Sequence, residues 1–265
     1  MTITATMTTI TPEMAIDWLE CANHGNRRLR AWWAEALASC IRRGEWITTH
    51  QGVAFTRSGR LIDGQHRLKA IALANQDVEM FVFNGVSDDA FSVIDIGVKR
   101  SIPDTTGLSK KTGEAARFLA ALVFGGAVTP QQVKSVAEAG VEEIHERLMA
   151  YCSTTKAIFS AAPVRAAAVL LVMDGHPESA VFKTYADTLN QRFDEMPQIA
   201  KGFVRQVIAG KMSAFGGKHL DLLARALKFL NPHNAALMKI QCTDADASAA
   251  SSYGRELLTR AMGAA

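Results

Sequence analysis

An apolar segment that passes through an Asp-Gly pair directly into a helix constrains the fold of this chain more than any other feature. The segment GRLIDGQHRLKAIALAN covers residues 59–75, and apolar residues recur at helical spacing from Leu68 to Ala74. We therefore predict a strand that ends at Asp63, a turn at Gly64, and a helix that begins at the motif. The five residues 63–67, DGQHR, crowd this joint with functional side chains.

The predicted joint has the properties of an anion-binding site. A helix N-terminus presents free backbone N–H groups and the positive end of the helix dipole, and both favour a phosphate. Gly64 would let that phosphate approach the backbone closely. Arg67 could hold it with two parallel charge-assisted hydrogen bonds. His66 could donate to the same phosphate, or act as an acid or base near neutral pH.

Asp63 is the one residue of the motif that a phosphate would repel. Three roles are open to its carboxylate: a ligand for Mg²⁺ that bridges to the phosphates, a base that activates a hydroxyl group, or a helix cap. If Asp63 only caps the helix and Arg67 lies in solvent one turn later, the motif needs no ligand. The residue pattern leaves both interpretations open.

The first hundred residues mix predicted helices with predicted strands. Thr11-Pro12 is typical of a helix start, and a second helix is expected from about Leu29 to Arg43, ended by Gly44. The remaining elements are short strands around Trp46–Ile47 and Val53–Phe55, a strand at 78–86 (VEMFVFNGV), and a short helix capped by Ser87 that ends at Gly97.

From Gly113 onward the sequence is rich in alanine and predicts helices only. Helix starts recur at Thr129-Pro130, Ala162-Pro163 and His176-Pro177. Residues 129–151 read as two short helices hinged at Gly140, and residues after 241 as a small, polar stretch before a weak terminal helix. We predict an α+β N-terminal domain at 1–105, an all-helical domain at 106–240, and a loosely ordered tail at 241–265.

Composition limits the function classes further. Hydrophobic residues make up 48% of the chain and charged residues 21%, values typical of a globular protein. The four cysteines are scattered without a metal-binding or disulfide pattern, so a reducing cytoplasm is expected. The sequence predicts neither a signal peptide nor a membrane span. The net charge of +3 gives no global signature of nucleic-acid binding.

Basic residues concentrate around the motif. Between Arg42 and Lys69, six basic residues stand against two acidic ones, which predicts either an anion-facing surface or an ordinary solvated face. The pair Trp32-Trp33 could stack on bases, but adjacent helical residues point in different directions, so one tryptophan is expected in the core. The helix pair at 129–151 is a poor DNA reader, because its second helix is acidic.

The segment GRLIDGQHRLKAIALANQDVEMFVFNGV, with its flanks from Thr11 to Pro103, resembles the ParB/sulfiredoxin-like superfamily. The similarity is to the ParB-like N-terminal domain of phage and prophage proteins of the DGQHR type. The resemblance implies a strand-turn-helix whose G-x-x-R core, here Gly64 to Arg67, holds nucleotide phosphates. It also implies that Gln65, Arg28, Lys99 and Arg100 contribute to phosphate binding, although Lys99 and Arg100 would equally suit a plain basic turn or a DNA backbone contact.

Departures from the family patterns separate several chemistries. Sulfiredoxins carry a catalytic cysteine where Gln65 stands, so reduction of a sulfinic acid is excluded. Partitioning ParB proteins bind CTP through G-E-R-R, which matches here only at Gly64 and Arg67. Free serine kinases carry D-G-H-H-R, which differs from this chain only at Gln65 and implies Mg²⁺-dependent phosphoryl transfer. A metal nuclease would need more carboxylates than Asp63 and Asp95, and is ranked low.

The sequence therefore predicts a nucleotide-binding ParB-like protein of phage or prophage origin that acts on or along DNA in the cytoplasm of a bacterial host. CTP and ATP or ADP, with Mg²⁺ at Asp63, are the expected cofactors, and a homodimer is a possible assembly. Whether the protein is an NTPase stays open. The alternative is a phosphotransferase that acts on a small molecule or a modified nucleotide, with Asp63 and His66 as its catalytic residues.

Overall fold

A computed structural model describes residues 2–92, 102–210 and 219–263 of the chain. The chain divides into two compact units, Met1–Lys99 and Arg100–Ala265. In the described residues the first unit combines a mixed four-stranded sheet with helices, and the second is entirely helical. Each unit has its own hydrophobic core. The α+β class and the change to helices that the sequence predicts are both confirmed.

The sheet of the first unit contains strands that are not in chain order. The strands are β1 (Thr4–Ile10), β2 (Val53–Thr56), β3 (Leu61–Asp63) and β4 (Val78–Val86), in the spatial order β1-β4-β2-β3. β4 pairs antiparallel with β1 and parallel with β2, and β2 pairs antiparallel with β3. The motif therefore lies at the end of an edge strand, next to β2.

Three helices contribute to the core cluster of this unit: α1 (Pro12–Cys21), α2 (Ala31–Arg42) and α3 (Gln65–Ala74). Both α1 and α3 contact β2, and α2 packs on α3. The Thr11 hydroxyl caps α1 by accepting a hydrogen bond from the Met14 N–H at 3.3 Å, as the Thr-Pro start predicts. Leu68 and Ile71 of α3 are fully buried in the same cluster as Met80 of β4. α3 is thereby fixed under the sheet with its N-terminus at the motif.

In this unit one strand was missed, one predicted strand is absent and one predicted helix is a shorter 3₁₀-helix. β1 was not predicted, because its sequence TATMTTI is almost wholly exposed and lacks an apolar alternation; only Ile10 is buried. The strand expected at Trp46–Ile47 is absent from the described structure, and the Ile47 side chain is 65% exposed. A short 3₁₀-helix at Asp88–Ser92 stands where the Ser87-capped helix was expected, and the turn at Gly97 lies outside the described residues.

The helical unit is built around α8 (Ala162–Met173), whose residues from Pro163 to Leu171 are all buried. The other described α-helices of this unit are α4 (Ile102–Thr106), α5 (Lys110–Phe124), α6 (Pro130–Val136), α7 (Glu142–Tyr151), α9 (Glu178–Asn190), α10 (Gln198–Ile208), α11 (His219–Leu230) and α12 (Asp244–Gly263), of which α5, α7, α9, α11 and α12 contact α8. The hinge predicted at Gly140 is confirmed, because that residue has a φ of +99° in a kink between α6 and α7.

The weak terminal helix expected within a loose tail at 241–265 is a 20-residue helix, α12, that covers most of this segment. Leu257 and Leu258 belong to the core of the helical unit, and Gly254 approaches Leu122 of α5 and Leu170 of α8. Small residues such as Ala250 and Gly254 give this segment a weak apolar pattern, which is why the sequence predicts only a weak helix. The same small residues allow α12 to pack closely on the core of the helical unit. In the described part of the chain, no helix has the length and apolar character needed to cross a membrane.

Candidate functional site

Gly64 forms the turn between β3 and α3 and cannot be replaced without cost. Its φ of +99° lies in the left-handed region that glycine adopts most readily. A Cβ atom added there would lie 2.5 Å from Cγ1 of Val53 in β2. Close packing of the turn on the neighbouring strand therefore explains why glycine stands at this position, whether or not a ligand also approaches it.

Asp63 and Arg67 are both engaged at this turn. The Asp63 carboxylate accepts a hydrogen bond from the Gly64 N–H at 2.7 Å, and its other oxygen lies 3.5 Å from Nη1 of Arg67. The Arg67 guanidinium also donates to the Gly52 carbonyl at 2.8 Å and to the Gln51 side chain at 2.9 Å. The loop before β2 therefore holds Arg67 in place. The interpretation without a ligand predicted instead that Arg67 extends into solvent.

Gln65 is a structural residue of the site. Its side chain is 94% buried, donates from Nε2 to the Arg27 carbonyl at 3.0 Å, and accepts from Asn23 at 3.5 Å. Asn26 in turn donates to the Leu61 carbonyl at 2.7 Å. These bonds fasten the loop between α1 and α2 against the start of α3. The first turn of α3 therefore forms one wall of a pocket and this loop forms another.

His66 is held as a neutral ring with a defined proton position. Its Nε2 accepts a hydrogen bond from the Arg30 backbone N–H at 3.0 Å, so the ring proton lies on Nδ1. Burial lowers the pKa of His66, and the nearby guanidinium groups of Arg27, Arg30 and Arg67 lower it further, against the opposing effect of Asp63. His66 can offer a ligand the Nδ1–H group, while Nε2 is already occupied.

The motif opens onto a pocket of about 360 Å³. All five motif residues line it, together with Ile62 of β3, Gln51, Asn26 and Arg27 from the loops, and Trp33 and Leu37 from α2. The first backbone hydrogen bond of α3 runs from the Leu68 N–H to the Gly64 carbonyl at 3.0 Å. The N–H groups of residues 65–67 precede that bond, so the helix itself leaves them without acceptors.

The structure brings together most, but not all, of the predicted site residues. Arg27 lines the pocket, whereas Arg28, which is exposed, is not among its lining residues in the described part of the chain. Lys99 and Arg100 lie outside the described residues. The sequence predicted Arg28 rather than Arg27, because a sequence alone does not show which of two adjacent arginines in a loop faces the pocket.

Trp33 is a lining residue that the sequence did not predict. Neither tryptophan of the pair belongs to the core: Trp32 is 57% exposed and Trp33 is half-buried. Their rings meet edge to face, with centroids 5.8 Å apart and planes at 64°. The expectation that one of them is buried is therefore wrong, because α2 packs on α3 and buries the alanines at 34 and 38, with Ile41, instead of the tryptophans.

The basic excess near the motif is partly neutralised within the fold. Arg42 is paired with Glu35, and Arg43 with Glu45 at 2.8 Å. In the pocket itself the lining residues carry two arginines, Arg27 and Arg67, against one carboxylate, Asp63. The positive charge that matters for an anion is therefore local to the pocket.

The helix pair α6–α7 offers little to DNA. Arg147, the one basic residue of α7, binds Glu143 at 2.7 Å and Glu178 at 2.8 Å. Gln132 of α6 is buried in a capping box with Thr129. Both side chains therefore have partners within the protein. This agrees with the interpretation that α6 and α7 pack in the helical unit and do not read DNA.

Comparisons of the chain with models of known protein families, with curated proteins and with solved structures found no match. The chemistry of the pocket is therefore the basis on which its ligand has to be inferred.

Proposed function

We propose that this protein binds a nucleotide, with the phosphates at the N-terminus of α3, and acts on or along DNA as a ParB/sulfiredoxin-like protein of phage or prophage origin in the bacterial cytoplasm. The observation that carries the proposal is that Gly64, His66, Arg67 and Arg27 line one pocket at the start of α3, where the N–H groups of residues 65–67 have no acceptor within the helix. Backbone N–H groups at a helix start, flanked by guanidinium groups, are a common phosphate environment.

The size and charge of the pocket support a ligand of this class. Its volume of about 360 Å³ falls within the range of small-molecule sites. Gly64 and Arg67, the two residues that match the G-x-x-R core of the superfamily, stand at the turn and one helical turn beyond it. Arg67 is already oriented by Gly52 and Gln51, so little side-chain entropy is lost when it meets a phosphate. CTP and ATP or ADP are the candidates that the resemblance supplies.

Mg²⁺ fits this site only together with a nucleotide. Asp63 is the single carboxylate among the lining residues, and the described residues contain no cluster of three or more side chains suited to a metal. Mg²⁺ commonly uses one or two carboxylates and completes its coordination with phosphates and water. Asp63 would therefore hold an ion that arrives with the phosphates, and that ion would neutralise part of their charge.

The DNA part of the proposal depends on the resemblance, because α6–α7 does not supply a reading helix. Binding along the DNA backbone without base contacts needs only basic residues and weakens steeply as salt rises. We expect wild-type protein to retard duplex DNA more strongly with nucleotide than without it at low salt. Retardation that does not respond to nucleotide would contradict a nucleotide-controlled action on DNA.

Arg27 and its neighbour Arg28 provide a matched test of the nucleotide site. A guanidinium that binds phosphate contributes about 1.5–3 kcal/mol, so Arg27→Ala should weaken binding roughly 10- to 100-fold. Arg28→Ala removes the same charge from a residue that does not line the pocket, and should change affinity by less than about twofold. Calorimetric titration with ATP, ADP and CTP, each with and without Mg²⁺, measures both effects.

Equal losses in the two variants would indicate general charge attraction rather than a site at the turn. Failure of every nucleotide to bind wild type would sink the phosphate site altogether.

The alternative function is a Mg²⁺-dependent phosphotransferase. The observation that favours this alternative is that Asp63 and His66, its two proposed catalytic residues, both line the pocket. Asp63→Asn separates the two functions. The amide oxygen can still accept from the Gly64 N–H, while the negative charge is lost. Without Mg²⁺ we expect nucleotide affinity to be retained or to rise, because a repulsive charge next to the phosphates has gone. A phosphotransferase would instead lose turnover by a factor of 10² or more in a phosphate-release or transfer assay.

A further inference from the structure

We propose that the ligand of this pocket carries a planar aromatic base that packs against Trp33, an inference that rests on the proposed nucleotide site. Trp33 and Leu37 lie four residues apart on α2, so their side chains share one face of the helix. Both line the pocket, and Ile62 of β3 lines it with them. The pocket therefore has an apolar, aromatic wall in addition to its charged turn.

This division of the lining matches a molecule with two chemically different parts. The loop before α2 supplies Arg27, the start of α3 supplies Arg67 and backbone N–H groups for an anion, and α2 supplies a half-buried indole and an aliphatic side chain. An inorganic phosphate or a phosphorylated peptide would use the first set and leave the second against water. A nucleotide would cover both, because a base stacks on an aromatic ring while its phosphates reach the helix start.

The neighbouring tryptophan supplies a control within the same helix turn. Trp32 touches Trp33 edge to face but is not one of the lining residues, and it is 57% exposed. A loss caused only by disturbing this aromatic pair would appear when either ring is removed. A loss caused by base stacking would appear only when Trp33 is removed.

The test compares three kinds of probe on four proteins by calorimetric titration. The probes are ATP and CTP, the nucleosides adenosine and cytidine, and inorganic tripolyphosphate, which presents phosphates without a base. The proteins are wild type, Trp33→Leu, Trp33→Phe and Trp32→Leu, each first checked for an unchanged circular dichroism spectrum and melting temperature. Leucine keeps apolar bulk at the position, and phenylalanine keeps an aromatic face.

We expect Trp33→Leu to weaken binding of the preferred nucleotide about tenfold or more, and to change tripolyphosphate binding by less than about twofold. Trp33→Phe should recover most of the loss, and Trp32→Leu should bind as wild type does. If Trp33→Leu does not fold, ¹⁵N-labelled indole signals replace it: the Trp33 signal, assigned from Trp33→Phe, should shift with nucleotide and not with tripolyphosphate.

Two outcomes overturn the base contact while leaving the phosphate site intact: equal weakening of nucleotide and tripolyphosphate by Trp33→Leu, or nucleotide binding that ignores Trp33. The opposite result, in which nucleosides bind through Trp33 and tripolyphosphate does not bind wild type, supports the base contact and overturns the phosphate site. If no probe binds wild type, both proposals are wrong.

Discussion

At the scale of single residues, the motif combines structural and chemical roles in the same side chains. Gln65 fastens a loop through the Arg27 carbonyl, and Arg67 binds the Gly52 carbonyl while it lines the pocket. Sequence patterns predicted that these residues lie together, because a strand-turn-helix places them within one turn. They did not predict the hydrogen bonds between residues far apart in the chain that bring the loop of Asn23 and Asn26 to the motif.

Gly64→Ala is expected to destabilise the first unit by about 2–5 kcal/mol. The substitution combines a left-handed backbone with a Cβ atom 2.5 Å from Val53, and strain and overpacking each cost a few kcal/mol. Gly59→Ala is the matched control: its φ is +83°, but a Cβ there has nothing within 4 Å, so it should cost only about 1–2 kcal/mol. Urea unfolding followed by tryptophan fluorescence measures both, and equal costs would contradict the role of Val53.

Arg27 and Trp33 show where residue-level prediction stops. Each lies next to a residue of the same type, Arg28 and Trp32 respectively. The sequence therefore gives no sign of which member of each pair lines the pocket. The choice is made by tertiary contacts, since the loop before α2 is positioned by Gln65 and by the His66 ring.

At the scale of elements, prediction succeeded where the signal is local. The Thr11 cap of α1, the helix start at Thr129-Pro130 and the kink at Gly140 all appear where the sequence places them. Prediction missed β1 and underestimated the length and packing of α12, because both elements depend on contacts with residues distant in the chain. β1 is completed by its ladder with β4, from Thr4 opposite Asn84 to Ile10 opposite Val78, and its own side chains bury little.

Leu258→Ala tests whether α12 is an integral part of the helical core. Leu258 is fully buried among core residues, so its truncation should lower the free energy of unfolding by about 2–5 kcal/mol. Glu256→Ala, on the exposed side of the same helix, should change it by less than about 0.5 kcal/mol. A negligible effect of Leu258→Ala on thermal or urea unfolding would restore the interpretation of this segment as a loose tail.

At the scale of the whole molecule, the chain contains two hydrophobic cores that share no residues. Stability therefore has to be considered for each unit by itself, because a protein with two cores need not unfold in a single step. Nucleotide binding should protect backbone amides of the first unit, where all described lining residues of the pocket lie.

Acid should weaken the helical unit through His145. This residue is fully buried, with Nδ1 3.0 Å from the Thr112 hydroxyl. Burial, with Arg165 and Lys111 nearby, lowers its pKa from 6.5 to about 4. The unfolded chain then takes up a proton more readily than the folded one, so stability is complete above pH 6.5 and is lost as pH falls, by about 3 kcal/mol at pH 4.

Hydrogen exchange of α7 and α8 amides, compared between wild type and His145→Gln at pH 7 and pH 4.5, isolates this contribution from that of the carboxylates. We expect the wild-type protein to lose more protection than the variant. The same loss in both would show that His145 does not titrate with unfolding.

The close approach of Gly64 to Val53 has an evolutionary consequence. A glycine that the fold itself requires will persist in descendants whether or not they still bind anything, so the Asp-Gly pair marks ancestry rather than activity. Arg27 and Trp33 are not members of the core cluster. In a lineage that no longer binds the ligand, substitutions should therefore accumulate at these two positions before they accumulate at Gly64. Their joint presence or loss, rather than the motif, is what will distinguish binding relatives from those that keep only the fold.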